Sequence, residues 1–173
     1  MRETRGTHVH LIVGPVGSGK STFALELAHE ERALRLGLDE WMTRLFSPDR
    51  PASGLIDWYR ERAARCVEQI WCVSQAASEV GVASILEIGL IQRSERARFY
   101  ERVAASGRAL TIYLVDAPRE LRRERVQERN QRRGQTFSMH VPAEIFELAS
   151  DLWEPLDDAE RVGRDVRVIS SAG

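Results

Sequence analysis

Residues 14–21 read Gly-Pro-Val-Gly-Ser-Gly-Lys-Ser and satisfy the pattern G-x-x-x-x-G-K-[ST] at every fixed position. Gly14, Gly17 and Gly19 would let the backbone curl until successive N–H groups point into one concavity, a nest for phosphate oxygens. A helix starting directly afterwards adds free amide donors and the positive end of its dipole. In such a loop Pro15, Val16 and Ser18 contribute backbone. Lys20 reaches the β- and γ-phosphates, the Ser21 hydroxyl holds Mg²⁺, and Thr22 follows in the first helical turn. The chemistry expected is that of a nucleoside triphosphate, ATP with Mg²⁺. Lys20 is also the only lysine among 25 basic residues, which excludes a guanine-specificity motif of the Asn-Lys-x-Asp type. No Leu-Ser-Gly-Gly-Gln signature of a transporter ATPase is present.

Such a loop works only between a strand and a helix, and the flanking patterns supply both. The run 8–14 reads as a strand and 21–31 as a helix. Further strands are expected at 33–39, 82–90, 109–118 less its ends, and 166–170. Helices are expected at 40–46, 55–80, from a Ser94 cap to about 105, at 119–133, and from Pro142 towards Pro155. Residues 47–54, with two prolines and a glycine, read as irregular. In the long helix, apolar positions from Ile56 to Val80 keep three-and-four spacing. In the last, Ile145, Ala149 and Leu152 share a face. Strands alternating with helices imply an α/β fold whose parallel sheet is covered on both sides. Its 173 residues suit one domain, 1–173.

Three further groups can do chemistry. Asp39 closes the second strand, at the sheet end where ligands of α/β folds bind. It is positioned to orient or deprotonate an alcohol, or to cap the following helix; Asp49 is a weaker candidate for the first task. Glu87 is the lone acid in the apolar third strand and needs a partner: Mg²⁺, a substrate, or an arginine such as Arg93 or Arg96. In the arginine-rich helix, Arg122, Arg125 and Arg129 fall at about 100°, 40° and 80° from Leu121, beside Leu121 and Val126 rather than opposite them. Inward arginines need anions, either the transferring phosphate or the acidic stretch 144–160. Arg132 and Arg133 lie beyond, at a nucleotide edge or in solvent. Asp116, His8 and His10 read as structural, and His140 has no evident partner. Trp41, Trp58 and Trp71 are core candidates, with Trp41 the first choice for an acceptor wall.

The segments LDEWM, ILEIGLIQRSERARF, VDAPRELRRERVQERN and PAEIFELASDLWEP, together with the loop, make the chain resemble a group of P-loop kinases, an AAA-type ATP-binding domain family. The group includes chloramphenicol phosphotransferase, zeta toxins and 5'-hydroxyl polynucleotide kinases. That resemblance implies a five-stranded parallel sheet of order 2-3-1-4-5 and a lid at about 119–140. It also implies an ATP- and Mg²⁺-dependent kinase with an alcohol acceptor. The catalytic residues would be Lys20, Asp39, Arg125 and Arg129, with Arg122 among the nucleotide-binding groups and Ser21 and Glu87 at the metal. The polynucleotide kinases of the group place an arginine three residues beyond the acceptor aspartate. Met42 stands there, and Arg44 follows two residues on.

The formal net charge of −1 gives no global attraction to polyanions or anionic lipid. A small-molecule hydroxyl acceptor is therefore favoured over a nucleic-acid end, and a nucleotide-binding switch without an acceptor stays open. Cys66 and Cys72 fit no metal or redox spacing and read as free thiols. Arg2, Glu3 and Arg5 interrupt any leader-like apolar stretch, no apolar run suits a membrane span, and a cytoplasmic protein is expected. The pattern leaves the oligomeric state open.

Overall fold

The structure, a computed structural model, describes residues 8–134, 137 and 139–171. The reading of Arg2, Glu3 and Arg5, and the part of the lid span at 135, 136 and 138, lie outside the described residues. The chain order is β1 (His8–Val13), α1 (Lys20–Glu31), β2 (Leu34–Gly37), α2 (Leu38–Phe46) and a 3-10 turn (Ser47–Asp49). Then come α3 (Leu55–Glu79), β3 (Ser84–Glu87), α4 (Arg93–Ala105), β4 (Ala109–Asp116), α5 (Arg119–Arg132), α6 (Ala143–Leu152), the short α7 (Asp158–Arg161) and β5 (Asp165–Ser170).

The five strands form one sheet in the order β2-β3-β1-β4-β5, with every neighbour parallel. Alternation along β1 sorts its side chains between two cores. Val9, Leu11 and Val13 join Met42, Ile70, Trp71, Phe99 and Val103 on the face covered by α2, α3 and α4. Ile12 joins Ala24 and Leu27 of α1 on the other. This is the three-layer α/β architecture expected, and it sets the carboxyl ends of β1, β2 and β3 side by side.

Several local expectations are corrected. Gln92, not Ser94, precedes α4, and its N–H donates to Glu95 at 3.1 Å. β3 is four residues, because Gly89 adopts a positive φ of 66° beyond it. α2 begins at Leu38 with Gly37 as its cap, so Asp39 lies within the first turn and is not the cap residue. In α3, Ile56 is exposed, as is Val80 just past its end, while Cys66, Ile70, Trp71, Ser74 and Ala77 are buried. In α6, Phe146 fills the core while Ile145 and Leu152 remain exposed. Arg96 is fully buried and forms a two-point ion pair with Glu160 at 2.7 and 2.8 Å. Tyr100 donates to the same carboxylate at 3.1 Å, which ties α4 to α7. Cys66 is buried, Cys72 is exposed, and both are free. Among the described residues no helix is long and apolar enough to cross a membrane.

Candidate active site

The loop between β1 and α1 is shaped by what crowds it. Gly14 has φ 148°, and a Cβ there would stand 2.0 Å from the Val115 carbonyl oxygen of β4. Gly17 has φ 78°, and a Cβ would meet the Arg122 carbonyl oxygen at 2.7 Å and Val126 at 2.9 Å. Both positions therefore require glycine for space as well as for backbone angle. Gly19, with φ 97°, turns the chain into α1. The amides of Lys20, Ser21 and Thr22 then lack intrahelical acceptors, as at any helix start.

Lys20 folds back over this nest, donating to the Gly14 and Pro15 carbonyls at 2.9 and 2.7 Å. Burial pushes its ammonium down to about 8, against the opposing pull of Asp39 and Glu87, with Arg129 and Arg122 lowering it further. The Ser18 hydroxyl is buried without a hydrogen-bond partner among the described residues. A polar, donor-rich loop closed over its own carbonyls fits a polyphosphate.

A cleft of about 2290 Å³ opens in front of the loop. That is more than twice an ordinary ligand site of roughly 300–1,000 Å³, and so has room for two reactants. It gathers Gly14 and Val16 to Thr22 from the loop, Asp39 from α2, Tyr59 from α3, Glu87 from β3, and Arg125 and Arg129 from α5. Asp39 is exposed into it. Burial and the neighbouring Asp39 charge push the Tyr59 phenol well above its usual range, which keeps it a neutral donor beside that carboxylate. Burial lowers the Arg129 guanidinium, with Asp39 opposing, and its Nε is buried without a partner among the described residues.

The three arginines of the inward face thus have different surroundings. Arg122 does not line the cleft. It is 6% exposed and donates to Ala117 O and Val16 O, each at 3.0 Å, and to Ser150 Oγ at 3.2 Å. It braces the loop from behind, which corrects the expectation of a nucleotide contact. Arg125 reaches Ser171 Oγ at 2.9 Å and also its carbonyl. Ser171 Oγ in turn donates to Ser18 O at 2.6 Å, so a clasp joins the lid helix, the end of β5 and the loop. The acidic stretch is engaged instead by Arg119 and Arg123, through Glu147 and Asp151.

Glu87 pairs with neither Arg93 nor Arg96. Its Oε1 accepts from Arg35 Nε at 2.6 Å, while Arg93 pairs with Asp157 and Arg96 with Glu160. Arg35 reaches it across the β2–β3 pairing, past Gly37, where a Cβ would stand in ordinary contact with the guanidinium at 3.5 Å. Glu87 still lines the cleft. Among the described residues no group of three or more His, Cys, Asp or Glu could hold a metal ion by itself. A magnesium ion here would have to share phosphate oxygens with the Ser21 hydroxyl, and with Glu87 only if Arg35 yields.

Trp41 packs against the main core and does not line the cleft, whereas Trp58 does; Trp71 is buried against Phe99 at 5.7 Å. Met42 is 3% exposed. Asp49 lies outside the cleft lining, Arg132 and Arg133 lie at its rim, and His140 is exposed along it. His8 bonds Thr111 at 2.8 Å and stacks on His10 at 4.4 Å.

Residues 9–156 match a family model described as an AAA domain. No curated protein matches the sequence. Among solved structures, a protein of Chloroflexus aurantiacus taken to be a kinase is similar with a TM-score of 0.74. It is 16% identical, over 96% of this chain and 89% of that one. A gluconokinase from Sinorhizobium meliloti is similar with a TM-score of 0.62 and 17% identity, over 98% and 85% of the two chains. The Pnkp1/Rnl/Hen1 RNA repair complex is similar with a TM-score of 0.60 and 20% identity, over 84% of this chain and 43% of that one. At these identities the likeness is one of fold.

Proposed function

The chain belongs to the AAA domain family, and we propose that it is an ATP- and Mg²⁺-dependent phosphotransferase with a hydroxyl group of a small molecule as acceptor. One observation carries the reading: Lys20 from the loop, Asp39 from α2 and Arg129 from α5 face one cleft, with Asp39 close enough to both cations to oppose the burial that disfavours their charge. A module that only binds nucleotide has no use for Asp39 there.

In this reading the loop amides and Lys20 hold the β- and γ-phosphates, and Ser21 supplies a ligand for the magnesium ion, which neutralises charge on the transferring group. Asp39 orients the acceptor hydroxyl and takes its proton as the oxygen forms a bond to the γ-phosphorus. The bond from phosphorus to the β,γ-bridging oxygen breaks, and ADP leaves with that electron pair. Arg129, whose Nε has no other partner among the described residues, donates to the phosphoryl oxygens; Arg125 lies one turn away on the same helix face. Met42 is buried in the core and cannot grip the phosphate of a polynucleotide end, which favours a small acceptor.

Transfer of label from γ-labelled ATP across a panel of alcohols tests the reading. A labelled phosphoester matching ADP one for one is expected, and lost in Asp39→Asn. ADP formation indifferent to every alcohol offered would refute it.

A further inference from the structure

Arg125 is held differently from the other arginines of its helix. Arg119, Arg123 and Arg132 pair with carboxylates, and Arg122 is engaged by the carbonyls behind the loop. Among the described residues Arg125 pairs with no carboxylate. Its two terminal nitrogens both go to Ser171, one to Oγ at 2.9 Å and the other to the main-chain carbonyl. Both acceptors are neutral, so the guanidinium is aimed while its charge stays uncancelled. Two of its five N–H donors are used in this way, and three remain.

Ser171 is a firm support for such a contact. It directly follows Ser170, which pairs with Asp116 at the end of β4, and its own amide donates to the Asp116 carbonyl at 3.2 Å. A hydroxyl has one proton to give. Ser18 O at 2.6 Å takes it in preference to Asp116 O at 3.3 Å, which leaves the Oγ lone pairs to Arg125. A Cβ at Gly19 would lie 3.7 Å from the same Oγ, so this hydroxyl stands against the residue before Lys20. One serine side chain thus joins the phosphate loop to a lid arginine through two consecutive hydrogen bonds.

We propose that Ser171 is a positioning residue, which holds the Arg125 guanidinium beside the phosphate loop for the polyphosphate that the loop binds. The inference rests on the nucleotide site of the phosphotransferase reading and adds to it a residue from the end of β5. An arginine free in solvent loses side-chain freedom when it meets an anion, whereas one fixed beforehand by a neutral fork loses little. A carboxylate at this position would also fix the side chain, but it would cancel the charge that the phosphate needs.

The test is a double-mutant cycle, read by isothermal titration of MgATP and by label transfer. Ser171→Ala should weaken MgATP binding by about tenfold or more, the scale of one hydrogen bond to a charged group, and Arg125→Ala by at least as much. The double variant should bind about as weakly as Arg125→Ala alone, because the serine acts through the arginine. Ser171→Thr keeps the hydroxyl and should restore binding to within about threefold of wild type. The unliganded Tm of each variant checks its folding. With any alcohol that accepts label, the same losses should appear in kcat/KM for ATP, while KM for the alcohol stays unchanged.

Wild-type affinity in Ser171→Ala, or losses that multiply in the double variant, would overturn the inference and leave the phosphotransferase reading standing. A lowered Tm with unchanged affinity would assign Ser171 to the fold alone and overturn it equally. Non-additive binding without transfer to any alcohol would keep the positioning role and remove the phosphotransferase reading. No uptake of MgATP by the wild type removes both.

Discussion

Arg122 and Arg129 sit seven residues apart on α5, and truncating each should break a different property. Arg122→Ala removes three hydrogen bonds at 3.0, 3.0 and 3.2 Å and strands the Val16 and Ala117 carbonyls. Hydrogen bonds to a charged group are worth about 1.5–3 kcal/mol each. Their sum overstates the loss, because deletion also relieves the burial that pushes this guanidinium below its ordinary value. A net cost of about 3–5 kcal/mol follows, the usual scale for opening a buried charged network. For a chain of this size each kcal/mol moves Tm by about 2–4 °C, so Tm should fall by roughly 6–20 °C. Arg129→Ala should behave oppositely. Its side chain makes no hydrogen bond among the described residues and its loss leaves no carbonyl stranded, so Tm should stay within about 3 °C. Phosphoryl transfer should fall by about 10³-fold or more, the scale of a lost arginine at a transferring phosphate. Scanning calorimetry without nucleotide, paired with label transfer from ATP, reads both. The reasoning is wrong if Arg122→Ala melts with the wild type, or if Arg129→Ala unfolds early and its folded fraction transfers normally.

The remaining expectations concern the loop, the base, the ion pairs and pH. Gly17→Ala forces a methyl to within 2.7 Å of the Arg122 carbonyl at a left-handed φ; the loop must shift, and calorimetry should show MgATP affinity reduced by about tenfold or more. Asp39→Asn should lower transfer by about 10²–10⁴-fold with Kd for MgATP within twofold to threefold of wild type (about a few tenths of a kcal/mol). Lys20 must carry its proton to serve, and burial sets its value at about 8. Affinity measured at pH 7 and pH 9 should therefore fall with rising pH, with the midpoint moved upward by the bound phosphate. Glu160→Gln breaks the pair with Arg96 and should cost about 3–5 kcal/mol in urea unfolding. Burial alone would raise that carboxyl, but Arg96 outweighs it and holds it below its ordinary 4.5. The stability it contributes is complete above that value and is lost as pH falls through the lowered one, so wild type and variant should converge in acid.

The phosphate loop and the strand order were legible because their constraints are local or periodic. Three glycines before a lysine have few other uses, and alternation of strand and helix patterns leaves little topological choice. The helix wheel correctly turned Arg122, Arg125 and Arg129 inward, but a wheel knows one helix. Whether an inward arginine meets phosphate or a carbonyl depends on α6 and the loop behind it, which is why Arg122 was misassigned. Glu87 shows the same limit from the other side. Its partner Arg35 is the lone charge of β2, as Glu87 is of β3, and the strand order places them in adjacent strands. Those two lone opposite charges were the available signal. Ile56 of α3 and Ile145 and Leu152 of α6 have the period of a packed face, yet they are exposed and line the cleft instead. Charge escaped the sequence altogether, since a net value of −1 carries no information about which arginines share a wall.

Isothermal titration of MgATP into the wild-type protein and into Lys20→Ala addresses the phosphate grip directly. A saturable one-to-one uptake by the wild type, weakened by about a hundredfold or more in the variant, is the result predicted. No heat in either protein, or equal binding by both, would contradict it.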